Sequence, residues 1–326
     1  MTATVEADRD DPETAEGSDS AAAGHAPTGD APTGDASIGH AATGRRTPAA
    51  SLDGRVRAAP AIAAVAVAVA TALRVAYNVP FDPVALPART VPAADAVAGL
   101  VTGAALAALA LASARPVVRI GLLFSGVFGV LATVSDAAAV TAAVAVPGGV
   151  AVAFAGALGR PTTYPELRRR ALALAFPVAA GVSLAATTWG LGTGARATGS
   201  AAFLLSVTLL VGRADGDRVA LAAGAAGLLC VVAASAAAPY VTGSALLAGF
   251  GVVGSPHLLV ATAAAGGLAA LVAGVHDGDG TLALGAGTLL AAGVPATPSA
   301  ALAACLGAAL AALDPDELLA APEVSR

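Results

Sequence analysis

The stretch VALAAGAAGLLCVVAASAAAPYVTGSALLAGFGVVGSPHLLVATAAAGGLAALVAGVH, residues 219–276, carries no formally charged side chain for 58 residues, from Arg218 to Asp277. A soluble fold of that length has to solvate its surface. An uncharged run this long, in a chain of mean hydropathy +0.79, therefore predicts several lipid-embedded helices in succession. The fold class that follows is an all-α, polytopic integral membrane helix bundle.

Composition says how such helices are built. Only 12% of the 326 residues are charged and 3% are aromatic, so Ala, Val, Leu and Gly make the spans. All 17 basic residues are Arg, Gln and Lys are absent, Asn78 is the single Asn, and Asp outnumbers Glu 16 to 6. The net charge of −5 sits largely in one tail and gives no reason to expect a nucleic-acid partner. Cys230 and Cys305 both fall in apolar runs, where a thiol acts as a small hydrophobe. Neither position suits a disulfide or a metal.

Three segments are expected. Residues 1–56 hold ten acidic residues, four arginines and few large apolar side chains; too little surface can be buried to offset ordering, so disorder is predicted. Within them a five-residue repeat runs AAAGH, APTGD, APTGD, ASIGH, AATGR over 21–45. His25 and His40, fifteen residues apart without further ligands, make no metal site. Residues 57–313 form the transmembrane domain and 314–326 a short polar tail. No cleaved signal peptide is expected, because the first apolar run starts only after Arg57.

Charges, prolines and glycines divide the domain into candidate spans at 58–77, 95–114, 119–135, 137–158, 171–191, 198–212, 219–238, 242–255, 258–275, 281–295 and 299–313. Several are near fifteen residues, short of the roughly 20 that cross a core of about 30 Å. The count is therefore ten or eleven helices. Orientation follows from arginine: twelve lie before span one and in every second loop, whereas the alternating loops hold Arg89 and Arg196. The positive-inside rule places the amino terminus and the basic loops in the cytoplasm of a cell-membrane protein. Beyond Arg218 the rule has no evidence, and eleven spans put the carboxyl end outside whereas ten put it inside.

Candidate functional residues are few. Arg74, three residues before Tyr77 at the outer end of span one, can bind an anion, pair with Asp136 or Asp82, or snorkel to the interface. Asp95 and Asp136 sit at predicted helix ends, where a carboxylate is solvated, caps a helix or binds an ion. Pro147-Gly148-Gly149 interrupts span four, and Pro177 with Gly181 interrupts span five; such breaks build transporter sites or are packing kinks. His276-Asp277-Gly278-Asp279 is a short polar loop that can hold a cation or is a solvated turn. In the loop RPTTYPELRRR, 160–170, Pro165 and Glu166 suit a first helical turn, and Arg168, Arg169 and Arg170 follow where the helix meets lipid. They read as contacts to anionic headgroups of the bilayer or to a cytoplasmic protein partner.

In composition the chain resembles the Arg-only, Ala/Val/Gly-rich multi-pass membrane proteins of unknown function found in haloarchaea. That resemblance extends over the whole chain and transfers no site residue. No catalytic, cofactor or metal site is expected, since clustered carboxylates, His pairs and nucleophile–base sets are not visible. The expectation is a non-enzymatic membrane component, a permease-like subunit or a scaffold; the alternative is a secondary transporter for a small neutral or anionic solute.

Overall fold

A computed structural model describes residues 48–79, 86–214, 216–237 and 241–313. Eleven α-helices occupy them: α1 Pro48–Tyr77, α2 Thr90–Ala112, α3 Pro116–Val134, α4 Ala139–Ala157, α5 Tyr164–Thr188, α6 Thr193–Thr208, α7 Arg218–Ala236, α8 Val241–Gly249, α9 His257–Asp277, α10 Gly280–Ala292 and α11 Pro298–Ala312. No strand occurs among the described residues. Helix α1 starts at Pro48, where a proline's missing N–H costs nothing in a first helical turn, and its membrane-crossing stretch is Ala58–Tyr77. Residues 1–47 and 314–326, with the repeat and the polar tail, lie outside the described residues.

Eight segments are long and apolar enough to cross a bilayer. One of the runs near fifteen residues is lengthened. A 3₁₀ turn at Leu209–Arg213 continues α6, and the helix starts at Thr193, five residues before the predicted span, giving 21 residues from Thr193 to Arg213. Arg196 thereby sits in the first turn of a helix and not in a loop. The predicted span 242–255 is instead the nine-residue α8 followed by a glycine-bearing loop. Helices α10 and α11, of 13 and 15 residues, are about 20 and 22 Å long at 1.5 Å per residue, less than a full hydrocarbon core.

Hydrogen bonds between helix ends fix the traverse. The end of α9 meets the start of α7 through His276 Nδ1 and Asp217 Oδ2, 2.9 Å apart. The end of α10 meets the end of α8, because Val294 N–H donates to the Phe250 carbonyl at 3.2 Å. Thr187 at the end of α5 donates to Ala296, just before α11, at 2.9 Å. Arg169 at the start of α5 donates to Ala312, the last residue of α11, at 3.1 Å. Thus α7 and α9 run in opposite directions, and α8 between them returns to the end it came from. Ten helices traverse the bundle, and α11 finishes at the arginine-rich end where α5 and α7 begin.

Eight of those helices, α1 to α6 with α9 and α10, pack side by side as a closed ring, and α11 lies inside against α1–α5 and α10. Every residue from Ser299 to Ala312 is buried. A helix apolar on all sides belongs in an interior, and its run of Ala with Gly307 keeps it narrow enough to fill the ring. Helix α7 stands outside on α9; 17% of its apolar stretch is buried, against 50% for α9.

Candidate functional site

At the end of the bundle opposite the arginines, Arg74 turns to α2. Its Nε and a terminal nitrogen reach the same Asp95 oxygen at 2.9 and 2.8 Å. Both side chains are largely withdrawn from the surface, at 19% and 26% exposure. The sequence offered Asp136 or Asp82 as the partner; the structure supplies Asp95, since α2 starts at Thr90 and carries Asp95 inward on its second turn. Asp136 is exposed on the 3₁₀ turn Asp136–Ala138 that precedes α4, and Asp82 lies outside the described residues. One turn before Arg74, Thr71 donates to the Ala291 carbonyl of α10 at 2.7 Å, so this end of α1 is tied to two neighbours.

The two proline sites come together. Pro147 and Gly148 of α4 and Pro177 and Gly181 of α5 line one shallow hollow of about 440 Å3, with Trp189 at its rim. Both helices nevertheless run unbroken through their prolines, so no unwound backbone is presented. Gly148 and Gly149 have different tasks. A side chain on Gly148 would meet nothing within 4 Å, whereas one on Gly149 would lie 2.4 Å from Ser125 Oγ and 2.5 Å from the Gly121 carbonyl of α3. Gly149 therefore permits backbone contact between α3 and α4, where Ser125 Oγ donates to the Val146 carbonyl at 2.7 Å.

At the arginine-rich end, guanidinium groups cover the carbonyl termini of helices. Arg115 donates to Ala157 at the end of α4, Arg170 to Gly159 just beyond it, and Arg169 to Ala312 of α11. Cations at helix carboxyl ends offset the partial negative charge of the unpaired carbonyls. Arg168 extends over Gly212, at the end of α6. Helix α5 itself opens with a capping box: the Thr163 hydroxyl accepts from Glu166 N–H, and the Glu166 carboxylate accepts from Thr163 N–H. The spacing Thr163-Tyr-Pro-Glu166 is the signature of that motif, a signal the sequence reading did not use.

The His276–Asp279 turn is committed to helix ends. Asp217 caps α7, accepting from Val219 N–H at 2.9 Å as well as from His276; the Val219 bond, with the imidazole adding to it, holds its carboxyl below the usual range against the opposing effect of burial. Asp279 caps α10 through Thr281 and Leu282 N–H. Burial pushes Asp279 up, but the bonds from Thr281 and Leu282 and the nearby Arg213 outweigh it, so its carboxyl too lies low. Among the described residues no three His, Cys, Asp or Glu side chains gather at metal-binding spacing. Cys305 is buried in α11, and Cys230 is exposed on α7.

A second space opens between α6, α7, α9 and α10 beneath α8. It measures about 390 Å3 and is lined by apolar side chains, with Cys230 the one heteroatom-bearing side chain among the described residues. Sequence reasoning missed it, because the lining comes from five elements and no local pattern marks any of them.

These features define a polytopic α-helical membrane protein whose polar groups serve mainly to tie helices together. The chain belongs to an integral membrane family of unknown function (DUF8068), which matches residues 56–312. Comparison with curated proteins and with solved structures gives no match.

Proposed function

We propose that this protein is a non-enzymatic component of the cell membrane, a scaffold subunit around which a larger complex is organised. The observation that carries this reading is α11: a wholly buried, apolar helix fills the ring where a channel or a midplane binding site would otherwise lie. Buried hydroxyls donate to backbone carbonyls, Thr102 and Thr288 within their own helices and Ser125 across to α4, which leaves them satisfied inside the protein. Purification from its own membranes in mild detergent tests the reading. Stoichiometric co-elution of other membrane or cytoplasmic proteins supports it; a lone, monodisperse chain that exchanges solute in proteoliposomes overturns it. The α4–α5 hollow with its paired prolines favours the second reading, a secondary transporter of a small neutral or anionic solute.

In this proposal the arginine-rich end faces the cytoplasm and Arg168, Arg169 and Arg170 contact anionic headgroups, each contributing about 1 kcal/mol. A cysteine replacing Ser51 then resists an impermeant thiol reagent in intact cells, and one replacing Thr90 reacts. Replacing the three arginines by Lys should preserve insertion, while replacement by Ala should give mixed topology. Loss of a co-purifying cytoplasmic partner in an inserted Lys variant would make that end a protein-docking face, since Lys lacks the bidentate guanidinium geometry.

A further inference from the structure

The 390 Å3 cavity has a definite cause. At its base α6 and α7 both press onto α9: a side chain on Gly266 would lie 2.5 Å from the Thr208 carbonyl, and one on Gly227 would lie 3.1 Å from the Ala264 carbonyl. Above these contacts the helices separate. At the far end the segment that could have filled the gap stops after the nine residues of α8, about 14 Å of helix. Phe250 then anchors the loop by accepting the Val294 N–H, and Gly293 crosses the Phe250 backbone so closely that no Cβ fits. A space is left roofed by α8 and walled by Phe203, Val207, Val260, Ala263 and Leu289, all buried.

Its chemistry and its opening select the occupant. Among the described residues no hydroxyl, amide or charged side chain lines the wall, so water would find no partners there and a polar solute would lose its hydration without compensation. The side toward the lipid phase is open: Cys230, Leu246 and Phe250 line the cavity and are exposed on the bundle surface. A cavity of this size falls in the range of sites for small ligands, and what surrounds its mouth is bilayer hydrocarbon. We propose that this cavity is a binding site for one hydrocarbon chain of a membrane-resident lipid, inserted from the side between α6 and α7 under α8. The recognising chemistry is the chain alone, straight or isoprenoid.

The native Cys230 in the wall provides the reporter, because Cys305 is wholly buried. Full-length protein, delipidated in detergent and carrying a nitroxide on Cys230, is titrated with 1-hexadecanol as a straight chain and with farnesol as an isoprenoid. The label should become immobilised on saturation and the melting temperature should rise with probe concentration, as for any ligand bound by the folded state alone. The more effective alcohol identifies the source of the chain. Ala263→Phe, which fills the cavity from α9, should abolish both responses; if this variant is not monodisperse, Ala234→Leu on α7 takes its place. Equal responses in wild type and a folded, filled variant would overturn the proposal, as would a label and a melting temperature unmoved by either alcohol.

Discussion

Helices α2 to α5 with α11, and helices α7 to α9, are made of the same small apolar residues and differ in how much of their surface they bury. In the first group glycines bring backbones together, as at Gly121 and Gly149, and every residue of α11 from Ser299 on is buried. In the second, α7 lies close along α9, where a side chain on Gly224 would meet the Ala265 carbonyl at 2.8 Å and one on Gly227 the Ala264 carbonyl at 3.1 Å, but it presents most of its surface outward and flanks a cavity. In a membrane no hydrophobic force drives helices together, so close packing arises where small residues of two helices are opposed and is absent where they are not. Composition alone carries no such information.

The sharpest test of the comparison is a pair of leucines. Leu302 of α11 is fully buried and packs over Gly129 of α3, whereas Leu229 of α7 is 65% exposed. Leu302→Ala should cost about 3 kcal/mol through the void it leaves, read as a lowered midpoint in thermal unfolding in detergent. Next in size, Gly149→Ala should destabilise by about 2 kcal/mol, because its Cβ meets backbone and the buried Ser125, while the adjacent Gly148→Ala should be neutral or raise stability by up to about 1 kcal/mol. Equal effects at 148 and 149 would contradict the α3–α4 contact. Asp95→Ala strands the Arg74 guanidinium and should cost about 1–2 kcal/mol, with Arg74→Ala in the same background adding little more.

Smaller effects probe the helix caps and α7. Asp279→Ala removes the cap of α10 and should cost about 1 kcal/mol. Asp217 and Asp279 are held below their ordinary value of 3.8 in the folded state. Their contribution is therefore complete above that pH and is lost as acidification passes through the lower folded values. The melting temperature should fall on acidification below about pH 4, and by less in Asp217→Asn and Asp279→Asn. Leu229→Ala should shift stability by less than about 0.5 kcal/mol; a loss comparable to that of Leu302→Ala would show that α7 is packed far more tightly than its exposure indicates.

How much of this was legible in the chain differs from residue to residue. Arg74 was visible as a charge in an apolar helix, but its partner was not, because the choice among Asp82, Asp95 and Asp136 depends on where α2 begins and how it faces α1. Pro147 and Pro177 were visible as possible breaks; their meeting in one hollow, with both helices continuous, depends on the pairing of α4 with α5. The capping box at Thr163 and Glu166 was fully legible and went unread. The cavity was illegible, since Phe203, Cys230, Val260 and Leu289 are brought together only by the packing of α6, α7, α9 and α10.

The sequence by itself determined that this is a helical membrane protein, because a 58-residue uncharged run cannot be solvated and must lie in lipid. It also determined the arginine asymmetry between the two ends, since charge in the short loops is a local property. The tertiary structure decided the parity of the traverse, the burial of α11 and the cavity under α8. Apolar runs of nine, thirteen and fifteen residues are equally able to turn back or to pass through, and only the neighbours against which they pack distinguish the two.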